Sequence, residues 1–246
     1  MLLGIETATE LVGVAVGDAG GVRATSTVTG RRRHVESLAP AINHVLSQAG
    51  VAIGELNAVC VDVGPGLFTG LRVGVATAKG LVQGLGIGAI GVTSLETLAH
   101  GALDGGWPGS VLAVVDARRS EVFVAAFGRL DPVDASSMVE LEAPCRFAPA
   151  ELARFIEAAP WGGGADVLCV GDGARRYAAD LAAVKGVVVA GPTMAAPQPA
   201  SLVTLAAARL AAGSPTLGAA DIHPLYLREA DAVANFAERS GSRASP

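Results

Sequence analysis

The sequence predicts an α/β protein built from two duplicated units. Residues 2–18 (LLGIETATELVGVAVGD) return as 112–128 (LAVVDARRSEVFVAAFG), with Leu2 on Leu112, Val12 on Val122, Val14 on Val124, Ala15 on Ala125 and Glu6 on Asp116. Cys60-Val61-Asp62-Val63-Gly64 is answered by Cys169-Val170-Gly171-Asp172-Gly173 at nearly the same offset. Between hairpin and strand lies one helical stripe, residues 34–49, with Val35, Leu38, Ala39, Ile42, Val45, Leu46 and Ala49 on its apolar side.

Each element follows from its own pattern. Both copies of the repeat read as an apolar strand, an acidic turn and a second strand, which is a hairpin. Residues 58–63 form an apolar strand that stops at Gly64-Pro65-Gly66. Glycine accepts positive φ there, and proline cannot donate. The loop Asp104-Gly105-Gly106-Trp107-Pro108-Gly109 separates the halves. Residues 149–159 (Leu152, Phe155, Ile156) answer the first helix, and a proline-rich break at 191–199 precedes a helix at 200–212. The expected units are 1–104, carrying the glycine motif; 105–198, the duplicate; and 199–230, a helix and segment that pack back. A frayed polar tail is expected over 231–246.

Composition limits the function classes. With 51% hydrophobic and 17% charged residues in 246, the chain can fill a core and is not largely disordered. Its formal net charge of −5 argues against a freestanding nucleic-acid binder. The one basic run, Arg31-Arg32-Arg33, reads as a solvated turn. Three cysteines, Cys60, Cys145 and Cys169, form no close pair, which argues against a disulfide framework or a CxxC metal site. The N-terminal MLLGIE lacks the basic start of a signal peptide, and neither 80–95 nor 186–208 suits a bilayer. A soluble cytoplasmic protein is expected.

The sharpest motif is Gly64-Pro65-Gly66-Leu67-Phe68-Thr69-Gly70-Leu71-Arg72-Val73-Gly74. Strand, glycine turn and helix N-terminus, with Thr69 as expected N-cap, could hold an anion. Neither Walker nor Rossmann spacing is present, and the residues favour a structural turn. The helix that follows has two apolar faces. Gly70, Val73, Gly74, Thr77 and Leu81 form one, and Leu71, Val75, Ala78 and Val82 the other; Arg72, Lys79 and Gln83 make a thin polar stripe. Gly70 and Gly74 would allow another helix to approach closely. That helix could belong to another subunit, or the second face could lie between the chain's own halves.

At these residues the sequence resembles the TsaB (YeaZ) family. The resemblance runs through GIETAT, RRRHVESLAP, GPGLFTGLRVGVATAKGL, GVTSLETLA and DARRSEVF, and more weakly through GDGA and PLYLR. It implies the actin/Hsp70/sugar-kinase (ASKHA) fold. It also implies an accessory role in forming threonylcarbamoyladenosine beside the anticodon of tRNA. The implied partners are the TsaD-type transferase as heterodimer and the TsaE-type ATPase as third member. tRNA would be met only through the complex, and a homodimer could form in isolation. The implied interface uses the first helix (Ala41, His44) and the glycine helix (Gly70, Val73, Gly74, Thr77, Leu81). Leu67 stands where the family usually has Ser, and Glu6 where Asp is commoner.

No catalytic, cofactor or metal residues are expected. His34 is followed four residues on by Leu38, so a TsaD-like His-x-x-x-His is broken; His44, His100 and His223 offer no metal spacing. No HExxH, GxSxG or Cys–His pairing supports a protease. The enzyme-class alternative is a sugar or acetate kinase, whose Asp-x-Gly-x-Thr hairpin contacts phosphates. Here the matching residues read Glu6-Thr7-Ala8-Thr9-Glu10 and Asp116-Ala117-Arg118, both without the glycine. Glu6 and Asp116 could pair by fold symmetry, but turn-capping acids are the simpler reading.

Overall fold

The structure is a computed structural model that describes residues 1–30, 33–131, 137–162 and 166–227. Among these, two five-stranded sheets form with one topology. Strands β1 (Leu2–Glu6), β2 (Leu11–Asp18) and β3 (Gly21–Thr29) make an antiparallel meander, and β4 (Ala58–Asp62) and β5 (Gly88–Val92) add parallel to β1, in the order β3-β2-β1-β4-β5. Strands β6 (Ser110–Arg118), β7 (Glu121–Arg129), β8 (Met138–Phe147), β9 (Val167–Val170) and β10 (Val187–Val189) repeat it as β8-β7-β6-β9-β10.

The copies differ in register. Gly4 lies opposite Cys60, whereas Cys169 lies opposite Leu112, not the Val114 that the sequence repeat would place there. A shift of two residues keeps every side chain on its own face, so the core tolerates it.

The helices explain why the central strands are apolar on both faces. Helices α1 (His34–Ala49) and α2 (Phe68–Leu85) cover one face of the first sheet, where Leu3 and Ile5 meet Leu38, Ile42, Val45 and Val75. The opposite face is covered by α7 (Pro199–Ala211), which sets Leu202, Val203 and Ala206 against Leu2 and Cys60. Helix α3 (Ser94–Asp104) leaves the first half of the chain and packs on the second sheet, with Leu95, Leu98 and Ala102 against Val111, Ala113 and Val115. Its start is fixed by a reciprocal cap: Glu96 N donates to Thr93 Oγ1 (3.1 Å), and Thr93 N donates to Glu96 Oε2 (2.9 Å). The other face of that sheet holds α4 (Leu152–Ala158), α5 (Asp172–Arg176) and α6 (Ala178–Leu181). Each half thus lends a helix to the other's sheet, and Arg209 of α7 bonds Glu96 of α3 where they meet. This exchange within a duplicated α/β frame is the actin/Hsp70/sugar-kinase architecture.

Candidate functional site

The glycine loop is held from below by Asp62, the last residue of β4. Asp62 Oδ1 accepts from Gly64 N (2.6 Å) and from Ser94 Oγ (2.7 Å). Gly64 has φ 103°, a conformation side chains resist. The chain then passes over the β1–β2 turn so closely that a Cβ on Gly66 would collide with the carbonyl of Ala8. Leu67 N donates to that same carbonyl (2.7 Å). Leu67, not Thr69, is the N-cap of α2, and it makes no side-chain cap bond. The helix begins earlier than expected because the Ala8 contact fixes Leu67. The same contact occupies an N–H that an anion at this helix start would have used.

Gly70 and Gly74 require a correction. A Cβ on Gly70 would strike the Thr7 carbonyl oxygen, and one on Gly74 the Thr7 hydroxyl. Their smallness admits the chain's own hairpin, not a second helix. Ala41, at 6% exposed, belongs to the first core and is likewise unavailable to a partner. The remaining expected interface residues reach the surface: Val73, Thr77 and Leu81 are half-buried and His44 is exposed.

Beneath the loop, Glu6 and Asp62 are both fully buried, with no cation against them among the described residues. Glu6 Oε1 accepts from Ala8 N (2.8 Å), the capping role foreseen for it. Neither its second oxygen nor Asp62 Oδ2 has a donor among the described residues, and the two side chains interact as a pair of acids. Burial, and then the charge of Asp62, push Glu6 well above the usual carboxylate range. Burial raises the Asp62 carboxyl as well, but Ser94 Oγ and Gly64 N oppose this by donating to it, so of the two acids Glu6 is the one that holds the proton.

The corresponding corner of the second half is open. Asp116 caps its turn as Glu6 does, Oδ1 accepting from Arg118 N (3.0 Å). Asp116 Oδ2 accepts from Arg118 Nη1 and Arg176 Nη1, both at 3.1 Å, and Asp116 N donates to Asp172 Oδ1 (2.9 Å). Burial raises the Asp172 carboxyl. Arg118 also reaches across to the first hairpin, its Nη2 lying 3.3 Å from Glu10 Oε1. These groups line a cleft of about 860 Å³ between the two hairpin turns, with Thr9, Thr27, Thr29, Thr193 and Gln198. Glu6 and Asp116 do not pair with each other; each is engaged within its own half.

The sequence pointed to none of Asp62, Asp172 or Arg176 as a site residue. The repeat of Asp62 and Asp172 after the matching cysteines was the available signal. Nor did it foresee that the C-terminal segment seals the glycine motif. Leu225 N donates to Val63 O (2.6 Å), Ile222 is fully buried, and Tyr226 stacks on Phe68 at 5.3 Å. Arg31, Arg32, Arg228 and the expected tail at 231–246 lie outside the described residues.

Other chemistry is constrained. His34 is buried, with Nε2 2.8 Å from the Thr9 carbonyl, and Leu38 is core. Burial lowers the pKa of His100. Burial pushes the Cys60 and Cys169 thiols up to about 12, far from a reactive thiolate. Among the described residues, no three His, Cys, Asp or Glu side chains gather as metal ligands, and no helix is long and apolar enough to cross a membrane.

Comparison with known proteins agrees with this geometry. The family model described as "TsaD: tRNA N6-adenosine threonylcarbamoyltransferase" matches residues 20–236. The tRNA threonylcarbamoyladenosine biosynthesis protein TsaB of Escherichia coli is 38% identical over 128 residues, 52% of this chain and 55% of that protein. Its counterpart of the same name in Bacillus subtilis is 32% identical over 126 residues, 51% and 54% respectively. The chain thus spans about half the length of the curated relatives it matches. The solved structure of YeaZ from Pseudomonas aeruginosa superposes with a TM-score of 0.78 at 26% identity, over 92% of this chain and 99% of that one. The kinase alternative is not favoured. The chain belongs to the threonylcarbamoyltransferase-related family, in its TsaB/YeaZ group.

Proposed function

We propose that this chain is a non-catalytic partner subunit for threonylcarbamoyl transfer to adenosine beside the anticodon of tRNA. It acts by heterodimerising with a TsaD-type transferase, with a TsaE-type ATPase as third member. The observation that carries the reading is the filled glycine loop. Ala8 and Thr7 occupy the space that a phosphate would need at the start of α2. A protein of this family with that space filled supports its partner rather than holding nucleotide in the loop.

The docking surface is the exposed flank of α1 and α2, with His44, Val73, Thr77 and Leu81; a second copy covers it when the chain is alone. The working division is 1–104, 105–198 and 199–230, with α3 and α7 exchanged between sheets. A cytoplasmic location fits a tRNA-modifying role.

Reconstitution tests this. The chain alone should give no threonylcarbamoyl transfer, and transfer should appear only when transferase and ATPase are added. Leu81→Arg should fold, lose capture of the transferase and lose transfer. Turnover by the chain alone, or full capture by the Leu81→Arg variant, would overturn the reading.

A further inference from the structure

On the surface of α2 the fold orients an arginine and leaves it unpaired. Arg72 stands one turn after Phe68, the first residue of α2, and both are exposed. The Arg72 guanidinium lies over the Phe68 ring, 3.8 Å from its centroid. Its Nε donates to the hydroxyl of Tyr226 (3.3 Å), and the Tyr226 ring packs on Phe68 at 5.3 Å. These contacts use one face of the guanidinium and the Nε donor. The remaining donors, on Nη1 and Nη2, meet no acceptor among the described residues, and Arg72 forms no ion pair there.

The C-terminal segment brings Tyr226 to this place. Leu217 makes an antiparallel bridge to Ala89 of β5, with Ala89 N donating to Leu217 O (2.9 Å) and Leu217 N to Ala89 O (2.8 Å). Ile222 is fully buried in the first core, and Leu225 N donates to Val63 O. The segment is thus pinned along its course before it reaches α2. An exposed arginine ordinarily loses much rotamer freedom when it binds; here two aromatic rings have already restrained it. Phe68 and Tyr226 still leave 36% and 45% of their own surface uncovered.

Helix α2 holds Arg72 and Lys79 and no acidic residue, in a chain of net charge −5. Val73, next to Arg72, belongs to the docking surface proposed above. A pre-oriented guanidinium set among exposed aromatic rings has the composition of a protein-interface anchor. A phosphate backbone would call for several cations along a line. We infer that Arg72, held by Phe68 and Tyr226, is a clamp for a carboxylate side chain of the transferase partner, and that the C-terminal segment is therefore part of the docking surface. The inference rests on the heterodimer proposed above. Nη1 and Nη2 offer the parallel N–H pair that a carboxylate takes in bidentate fashion.

The test measures capture of the transferase by the full chain at physiological salt. Arg72→Met keeps the apolar stem and removes the guanidinium. Its Kd should rise about tenfold or more, the weight of a charge-assisted pair at an interface, with the thermal melt unchanged. Arg72→Lys keeps the charge without the planar fork and should recover about half of that loss at most. Tyr226→Phe removes the hydroxyl alone and should weaken capture about threefold; it decides the matter if Arg72→Met fails to fold. Arg154→Met, an exposed charge loss on α4, is the control and should bind as the wild type does. Normal capture by a folded Arg72→Met variant would overturn the inference and leave the heterodimer standing. Full recovery in Arg72→Lys would do the same, since a bare charge would then suffice. So would a lowered melt with unchanged capture, which would make the cluster a fastening for the C-terminal segment. Normal capture with loss of tRNA binding by the complex would assign Arg72 to a phosphate and overturn it too. Failure of the wild-type chain to capture the transferase would instead sink the heterodimer, and the clamp with it.

Discussion

The two hairpin turns began as copies and now stand in opposite electrostatic states. In the first half, Glu6 and Asp62 are sealed under the glycine loop, where burial and then the charge of Asp62 push the Glu6 carboxyl well above its usual range. In the second, Asp116 keeps two arginines at 3.1 Å at the edge of open space. The covering element makes the difference. Helix α2 and the loop before it pass so close over Thr7 and Ala8 that they need Gly66, Gly70 and Gly74. The equivalent helix of the second half, α5, has only five residues and ends in Arg175 and Arg176, so it supplies charge instead of a cover. One corner is sealed by the glycine helix, and the other borders an open cleft.

The sharpest way to break this comparison is to prise α2 from the first corner. Gly74→Arg would drive a charged side chain onto Thr7, inside the protein. A cost above about 4 kcal/mol is expected, because overpacking and an unpaired buried charge act together. The variant should be insoluble or melt far below the wild type in a thermal scan. A Gly74→Arg protein that melts normally would mean the glycines serve an outside helix, and the first corner is not sealed.

Asp116→Ala probes the second corner and should do less harm. It removes the acceptor of two guanidinium groups and of Arg118 N. Arg118 and Arg176 are 40% and 55% exposed, so water takes over much of their solvation. Urea denaturation should show a loss of about 1–3 kcal/mol with an unchanged m-value. A loss as large as that of Gly74→Arg would mean the second corner is as structural as the first.

This contrast also shows what the sequence could reveal. Duplication was legible because the hairpin strands kept their apolar spacing, and the capping role of Glu6 and Asp116 because a capping acid binds its own turn. The glycine helix misled for a physical reason. A small residue reports that something comes close, but not whether it belongs to another molecule; here it is Thr7, far earlier in the same chain. Helix α3 was invisible as a traveller to the second sheet, because an apolar stripe says how much is buried and not against which sheet. The ion cluster of the second corner was hidden because Glu10, Asp116, Arg118 and Arg176 come from separate parts of the sequence.

The smallest effect tests the Glu6 proton itself. Above about pH 4.3 the Glu6 side chain of the unfolded chain loses its proton, while the folded protein keeps it. The folded state then binds more protons than the unfolded state, so wild-type stability falls as pH rises through the window above that value. The substitution Glu6→Gln keeps the shape of the side chain, and its amide can donate an N–H to Asp62 without any proton to hold. At pH 5 the variant should lie within about 1 kcal/mol of the wild type. From pH 5 to 8 it should gain relative to the wild type, because only the wild type carries this decline; Asp62, raised by burial, contributes its own decline to both. Urea unfolding at several pH values reads the difference directly. Parallel curves would show that Glu6 does not hold the proton, and the first corner would need another source of neutrality.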